Sequence, residues 1–144
     1  VAEATQASIE HMNVRRMPVV TQIAPGLYAM LDPLRIRFVL QTMVDNAINY
    51  TSDGSPITVS AYRRGRHVIC SVKDGGIGIP KSELPFIFTK LYRGKRARSV
   101  DTEGMGIGLY TSKEIVTRLH GKVWVESEGE NKGSTFSFSV PAAK

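Results

Sequence analysis

A chain of 144 residues, 42% of them hydrophobic, suits one domain with a buried core. No apolar run approaches the ~18 residues of a membrane helix, Val1 to Glu10 is too polar for a secretory signal, and a lone cysteine, Cys70, excludes an internal disulfide and fits a reducing cytosol. The formal net charge of +6 admits nucleic acid, an anionic membrane or an anionic ligand. No recognition helix with base-reading residues is in view, so nucleic acid is set aside.

In chain order, residues 2–14 read as a helix with sparse apolar positions at Ala2, Ile9 and Val14. Met17 to Ile23 reads as a strand, Pro25-Gly26 as a turn, and Leu27 to Leu31 as a short strand. Asp32 has the chemistry of an N-cap, with Pro33 at the first helical position. That helix runs to about Tyr50 and buries a stripe of Ile36, Leu40, Met43 and Ala47. Ser52 to Pro56 ends it. Ile57, Val59 and Ala61 then alternate with polar residues, as a half-buried strand does. Arg63 to Arg66 turns the chain and His67 to Lys73 returns it, a hairpin leading directly into Asp74. Cys70 lies within its apolar pattern and reads as a core filler rather than a reactive thiol.

Residues 81–92 read as a short helix or turn, and the polar, basic, Gly-containing stretch 93–105 as a mobile loop. A second long helix spans about 106–120, with Leu109, Ser112, Val116 and Leu119 on one face and Gly121 at its end. Lys122 to Glu128 and Ser134 to Val140 close the chain as two strands, with Phe136, Phe138 and Val140 pointing one way. The expected fold is an α/β (α+β) two-layer sandwich: a mixed β-sheet covered on one face by about three helices.

Four patches in fixed order carry the chemistry: Asp45-Asn46-Ala47-Ile48-Asn49-Tyr50, Asp74 to Pro80, Gly104 to Leu109, and Gly133-Ser134-Thr135-Phe136. Asn46 and Asn49 sit on one edge of the 33–50 helix, where a side-chain carbonyl can serve Mg²⁺. The same residues also read as helix-end amides making local hydrogen bonds. Asp74 can accept from the exocyclic amine of adenine, whereas guanine offers a carbonyl at that position. Gly76 and Gly78 let the backbone approach a base. Asp74-Gly75 equally reads as a plain Asp-Gly turn. Gly104-Met105-Gly106-Ile107-Gly108-Leu109 opens the second helix, and backbone N–H groups at a helix start bind anions. It is neither a dinucleotide fingerprint, lacking a directly preceding strand, nor a Walker loop, lacking Gly-Lys-Ser/Thr. Of two basic clusters, Arg63, Arg64 and Arg66 read as a solvated turn, while Arg93, Lys95, Arg96 and Arg98 are placed to meet a triphosphate.

Together these motifs resemble the catalytic, ATP-binding domain of bacterial sensor histidine kinases, within the group that includes gyrase, MutL and heat-shock-ninety chaperones and has the Bergerat-type fold. Asp45 to Thr51 resembles the N box, Asp74 to Pro80 the G1 box, Phe86 to Arg93 the F box and lid start, and Gly104 to Leu109 the G2 box. The resemblance spans nearly the whole chain, read as one domain over 1–144 with an ATP lid at about 93–105. It implies Mg²⁺ on Asn46 and the adenine amine on Asp74, with Gly76, Gly78 and Ile79 lining the base. It puts Tyr50 near the nucleotide and Ser134 within reach of adenine. Gly104, Gly106 and Gly108 hold phosphates, with Met105, Ile107 and Leu109 in the same box, and Asn49, counted among the nucleotide-binding residues, stands where many members have a phosphate-contacting Lys. Tyr92, Arg93, Lys95, Arg96 and Arg98 belong to the lid. Three positions depart from the common pattern: Thr42 where many members carry an acid or Asn, Asn49 where many carry Lys, and Gly75 where Asn is common.

None of His11, His67 and His120 lies in a phospho-acceptor motif. The chain is therefore expected to be a fragment that binds Mg·ATP and phosphorylates a His on a separate dimerisation domain. A response regulator lies downstream. The expected setting is cytoplasmic, under a parent often anchored in the inner membrane, with no direct membrane insertion by this chain. Two alternatives stand beside the kinase: a degenerate docking module, which Thr42, Asn49 and Gly75 favour, and an anti-sigma-factor type Ser/Thr kinase, which the F box opposes.

Overall fold

The computed structural model describes residues 19–26, 29, 32–50, 56–79, 81–82, 84–88, 107–129 and 132–143, with the backbone alone at 19–21, 49, 50 and 107. The expected helix over 2–14 and the lid at 93–105 lie outside the described residues.

The first strand, β1, is Val19–Ile23, and the first described helix, α1, is Pro33–Tyr50. Asp32 caps α1 as expected: its Oδ1 accepts from the Leu34 N–H at 3.0 Å, and its carbonyl accepts from the Ile36 N–H at 3.0 Å. Proline at the next position loses nothing, because its missing N–H would have been unpaired anyway. Ile36, Leu40, Met43 and Ala47 are all buried, and Val39, Val44 and Ile48 widen the stripe. Such a broad apolar face suits a helix laid across a sheet rather than a coiled-coil seam.

Strands β2 (Ile57–Arg64) and β3 (His67–Asp74) form the hairpin, turned by Gly65 and Arg66. Gly65 has a positive φ of 61°, the conformation a two-residue hairpin turn asks of its first position. The arginines there are exposed: Arg63 Nε donates to the Gly65 carbonyl at 3.0 Å, and the Arg64 guanidinium lies 5.8 Å from the Tyr62 ring centre. Helix α2 is Ile107–Arg118, and β4 (Lys122–Glu126) and β5 (Ser134–Pro141) complete the sheet. Of the expected short strand at 27–31, Ala29 is described, in an isolated bridge to Ala142.

The five strands run in the order β1-β2-β3-β5-β4. β1 and β2 are parallel, joined by the crossover through α1, and the remaining neighbours are antiparallel. Ile57, Val59 and Ala61 of β2, Val68, Cys70 and Val72 of β3, and Phe136, Phe138 and Val140 of β5 form the buried face against the helices. Val116 of α2 is buried in the same core, with Leu109 and Leu119 packed at its margin. Burial pushes the Cys70 thiol up to about 12, so it stays protonated and serves as core, as its pattern predicted.

The end of α2 differs from expectation. The residue in the left-handed conformation is His120, with φ 64°, not Gly121. His120 N–H donates to the Thr117 carbonyl at 3.0 Å and Gly121 N–H to the Val116 carbonyl at 2.9 Å, which is a Schellman closure. Gly121 is required for space instead: a Cβ there would run into the carbonyl oxygen of Ser139 on β5.

Candidate functional site

The hairpin strand β3 ends on Asp74, which has only 3% of its surface exposed. The strand pairing sets Asp74 opposite Ser134, the first residue of β5. Asp74 Oδ1 accepts from the Gly76 N–H at 2.9 Å, and Oδ2 accepts from the Ser134 hydroxyl at 2.9 Å. An ionised carboxylate oxygen takes two hydrogen bonds, so the pair of oxygens, bonded by the Gly76 N–H and by the Ser134 side chain and backbone, retains acceptor capacity for a ligand. Desolvation pushes the Asp74 carboxyl above its ordinary 3.8, and the bonds from Gly76 and from the Ser134 side chain and backbone pull it partway back. Ser134, expected to reach adenine, here spends its proton on Asp74 and fixes the orientation of the acid.

Gly133 makes this pairing possible. Its φ is +74°, and a Cβ on it would collide with the Asp74 carbonyl oxygen. Beyond Asp74 the chain passes through Gly78, buried with φ 70°, to Ile79. The Ile79 N–H donates to Ser127 Oγ at 3.0 Å, and the same hydroxyl donates to the Gly133 carbonyl at 2.7 Å. Sequence reasoning passed over Ser127. It lies in none of the four patches, and its bond to Ile79 joins residues 48 positions apart in the chain.

The second half of the site forms where α1 meets α2. A Cβ on Gly108 would stand 3.0 Å from the Thr42 methyl carbon, so the start of α2 packs tightly on α1 at Thr42. Asn46, half-buried, follows Thr42 by one turn on the same helix face. The amide thus lies one helical turn along α1 from the contact with α2, at whose first turn backbone N–H groups lack helical partners and the dipole favours anions. One amide oxygen fits the needs of a Mg²⁺ that takes its other ligands from phosphates and water.

The F-box segment closes the border between site and core. Leu84–Phe86 is a 3-10 turn; Ile87 is buried, and Phe88 meets Phe136 edge-on at 6.3 Å between ring centres. Phe86 points outward, with 54% of its surface exposed. The structure thus brings Asp74, Gly76, Gly78, Ile79 and Ser134 together at one place and sets Gly108 against Thr42, one helical turn before Asn46, at another, with Leu109 against the core. Side chains of Asn49, Tyr50 and Ile107, and all of Tyr92, Arg93, Lys95, Arg96, Arg98, Gly104, Met105 and Gly106, lie outside the described residues. Among the described residues no cluster of three His, Cys, Asp or Glu side chains could hold a metal, and no helix is long and apolar enough to cross a membrane.

Residues 31–144 match the family described as histidine kinase-, DNA gyrase B-, and HSP90-like ATPase. The chain is 46% identical over 118 residues to the adaptive-response sensory kinase SasA of Synechococcus elongatus, covering 81% of this chain and 29% of SasA. It is 37% identical to the sensor histidine kinase WalK of Bacillus subtilis, covering 80% of this chain and 19% of WalK. The chain thus spans under a third of the length of these relatives. In fold it superposes on the mycobacterial sensor histidine kinase MprB with a TM-score of 0.88, at 23% identity, over 98% of this chain and 95% of that one. The chain belongs to the histidine kinase-, DNA gyrase B- and HSP90-like ATPase family, among the catalytic domains of sensor histidine kinases.

Proposed function

We infer that the chain binds Mg·ATP and transfers the γ-phosphoryl group to a histidine on a separate dimerisation domain of the same parent protein, from which a response-regulator aspartate receives it. The observation that carries this reading is Asp74: a buried carboxylate, held from both sides by Gly76 and Ser134, with acceptor capacity left over. A buried acid with no further role is costly, and a buried acid that meets a donor on the ligand repays that cost on binding. Adenine presents an amine to Asp74 and guanine a carbonyl, so the site selects ATP over GTP.

Asn46 would hold the Mg²⁺ through its amide oxygen, and the metal would supply neutralisation of the phosphate charge there. Gly104, Gly106 and Gly108 offer the backbone at the start of α2 to the phosphates, and Arg93, Lys95, Arg96 and Arg98 come from the lid. Thr42 packs its methyl group against Gly108 and has no carboxylate to take a proton. The proton of the acceptor histidine therefore goes to a group outside this chain. What remains for this domain is positioning and charge stabilisation, which is most of what phosphoryl transfer requires. The domain works where ATP is abundant, on the cytoplasmic side of whatever membrane the parent meets.

The test is transfer of radiolabelled γ-phosphate to the dimerisation domain of the parent. The expected label is on histidine, lost in acid and stable in alkali. Acid-stable label on a serine, or Mg·ATP binding with no transfer, would contradict the histidine-kinase reading.

A further inference from the structure

Ser127 is the last link in a closed ring of contacts around the base-reading acid. Asp74 Oδ1 binds the Gly76 N–H, and the chain continues from Gly76 to Ile79. The Ile79 N–H donates to Ser127 Oγ at 3.0 Å, and Ser127 Oγ donates to the Gly133 carbonyl at 2.7 Å. Gly133 is followed by Ser134, whose hydroxyl returns to Asp74 Oδ2 at 2.9 Å. A third contact, from the Gly129 N–H to Ser127 Oγ at 3.3 Å, fixes Ser127 in its own turn after β4.

Each member of this ring holds a different wall. Gly76 to Ile79 forms one side of the place beside Asp74, and Gly133-Ser134 forms the other. Ser127 thus joins the two walls through its side chain on the far side from Asp74. The serine hydroxyl has one proton and two lone pairs: it accepts from the Ile79 and Gly129 N–H groups and donates to the Gly133 carbonyl at 2.7 Å, with the Gly129 carbonyl a longer alternative at 3.4 Å. Its demands are therefore fully met, and neither alanine nor a larger amide reproduces them.

We propose that Ser127 is a positioning residue for adenine recognition, setting the separation between the Gly78–Ile79 wall and the Gly133–Ser134 wall without touching the nucleotide itself. This rests on the reading of Asp74 as the adenine acceptor. Supports of this kind govern how closely a site matches its ligand, because a first contact is only as precise as the residues behind it. Losing Ser127 leaves the Asp74 carboxylate in place and loosens the walls around it. The effect belongs to the base and not to the phosphates or the metal.

The test uses Ser127→Ala and Ser127→Thr, with calorimetric affinities for Mg·ATP and for adenosine. Adenosine isolates the base from every phosphate contact. Ser127→Ala is expected to weaken both ligands by about tenfold, the scale of one lost hydrogen bond in a buried site. Threonine retains the hydroxyl and is expected to restore both to within about twofold. A serine that merely supports the fold would lower the melting temperature and leave both affinities of the folded protein unchanged, and that result overturns the proposal. So does a loss seen with Mg·ATP but absent with adenosine. If the unsubstituted chain binds neither ligand, the adenine reading of Asp74 falls and takes this proposal with it; if it binds both and the alanine variant binds them equally, the Ser127 proposal alone falls.

Discussion

Asp74 is held in a state of tension that its own titration should reveal. Burial raises its pKa above 3.8, because removing the carboxylate from water costs more than the bonds from Gly76 and Ser134 return. A raised folded-state value means the empty domain binds this proton more tightly than the unfolded chain does. The ionised acid therefore costs the empty fold stability as pH rises from 3.8 through the folded value, and that cost is absent below 3.8. ATP needs the ionised form as acceptor, so affinity for Mg·ATP should fall as pH drops through the same window. Asparagine can keep the geometry, accepting from Gly76 and donating to Ser134 Oγ. Asp74→Asn is thus expected to fold at neutral pH with undiminished melting temperature. Its affinity for Mg·ATP should be about a hundredfold weaker, the cost of a lost charge-assisted bond, and should no longer change with acid pH. Calorimetry from pH 7 downward on both proteins reads this directly. An unchanged affinity in the asparagine variant, or an equal pH dependence in the two, would remove Asp74 from the base site.

Much of the residue-level site could be read from the chain, since Asp74, Gly76, Gly78 and Gly108 sit in compact motifs whose residue types announce backbone approach and acceptor chemistry. Ser127 could not be, because it stands outside the motifs and its partner Ile79 reaches it from 48 positions away in the chain. Nor did the chain reveal that Ser134 would spend its hydroxyl on Asp74, which depends on the register of β3 against β5.

At the scale of elements, the helices were legible because their apolar periodicity is strong. Ile36, Leu40, Met43 and Ala47 all point inward, and Val39 and Val44 join them because a helix on a sheet buries more than a narrow stripe. The end of α2 was misread for an instructive reason. A glycine after a helix usually supplies the left-handed residue, and here His120 takes that conformation while Gly121 answers to the Ser139 carbonyl across the sheet. Local rules see the helix end, and the neighbouring strand decides it. Gly121→Ala is accordingly expected to destabilise the domain by about 3 kcal/mol, since a Cβ meets backbone that cannot step aside. Gly108→Ala faces the Thr42 side chain, its methyl nearest at 3.0 Å, and gains helix propensity, so its stability should shift by less than about 1 kcal/mol. Denaturant midpoints of the two variants compare them. Equal midpoints would mean that the β5 contact at Gly121 is not the constraint described.

At the scale of the whole molecule, the alternation of strand and helix signals led to a mixed sheet covered by helices on one side. Five strands in the order β1-β2-β3-β5-β4 carry α1 and α2 on one face. The strand order is long-range information, set by which edges find partners, and no local pattern encodes the insertion of β5 between β3 and β4. That insertion matters to the proposed function, because it seats Ser134 opposite Asp74, while α1 meets the start of α2 at Thr42 and Gly108. The proposed base site and the proposed phosphate site thus draw on different parts of one architecture, the β3–β5 pairing and the α1–α2 contact.

The measurement that tests this most directly is a calorimetric titration of the chain with ATP and GTP, each with Mg²⁺ and with Mg²⁺ chelated. The account predicts binding of Mg·ATP, much weaker binding of Mg·GTP, and loss of affinity for ATP when the metal is removed. Equal binding of the two nucleotides, or binding of neither, would contradict it.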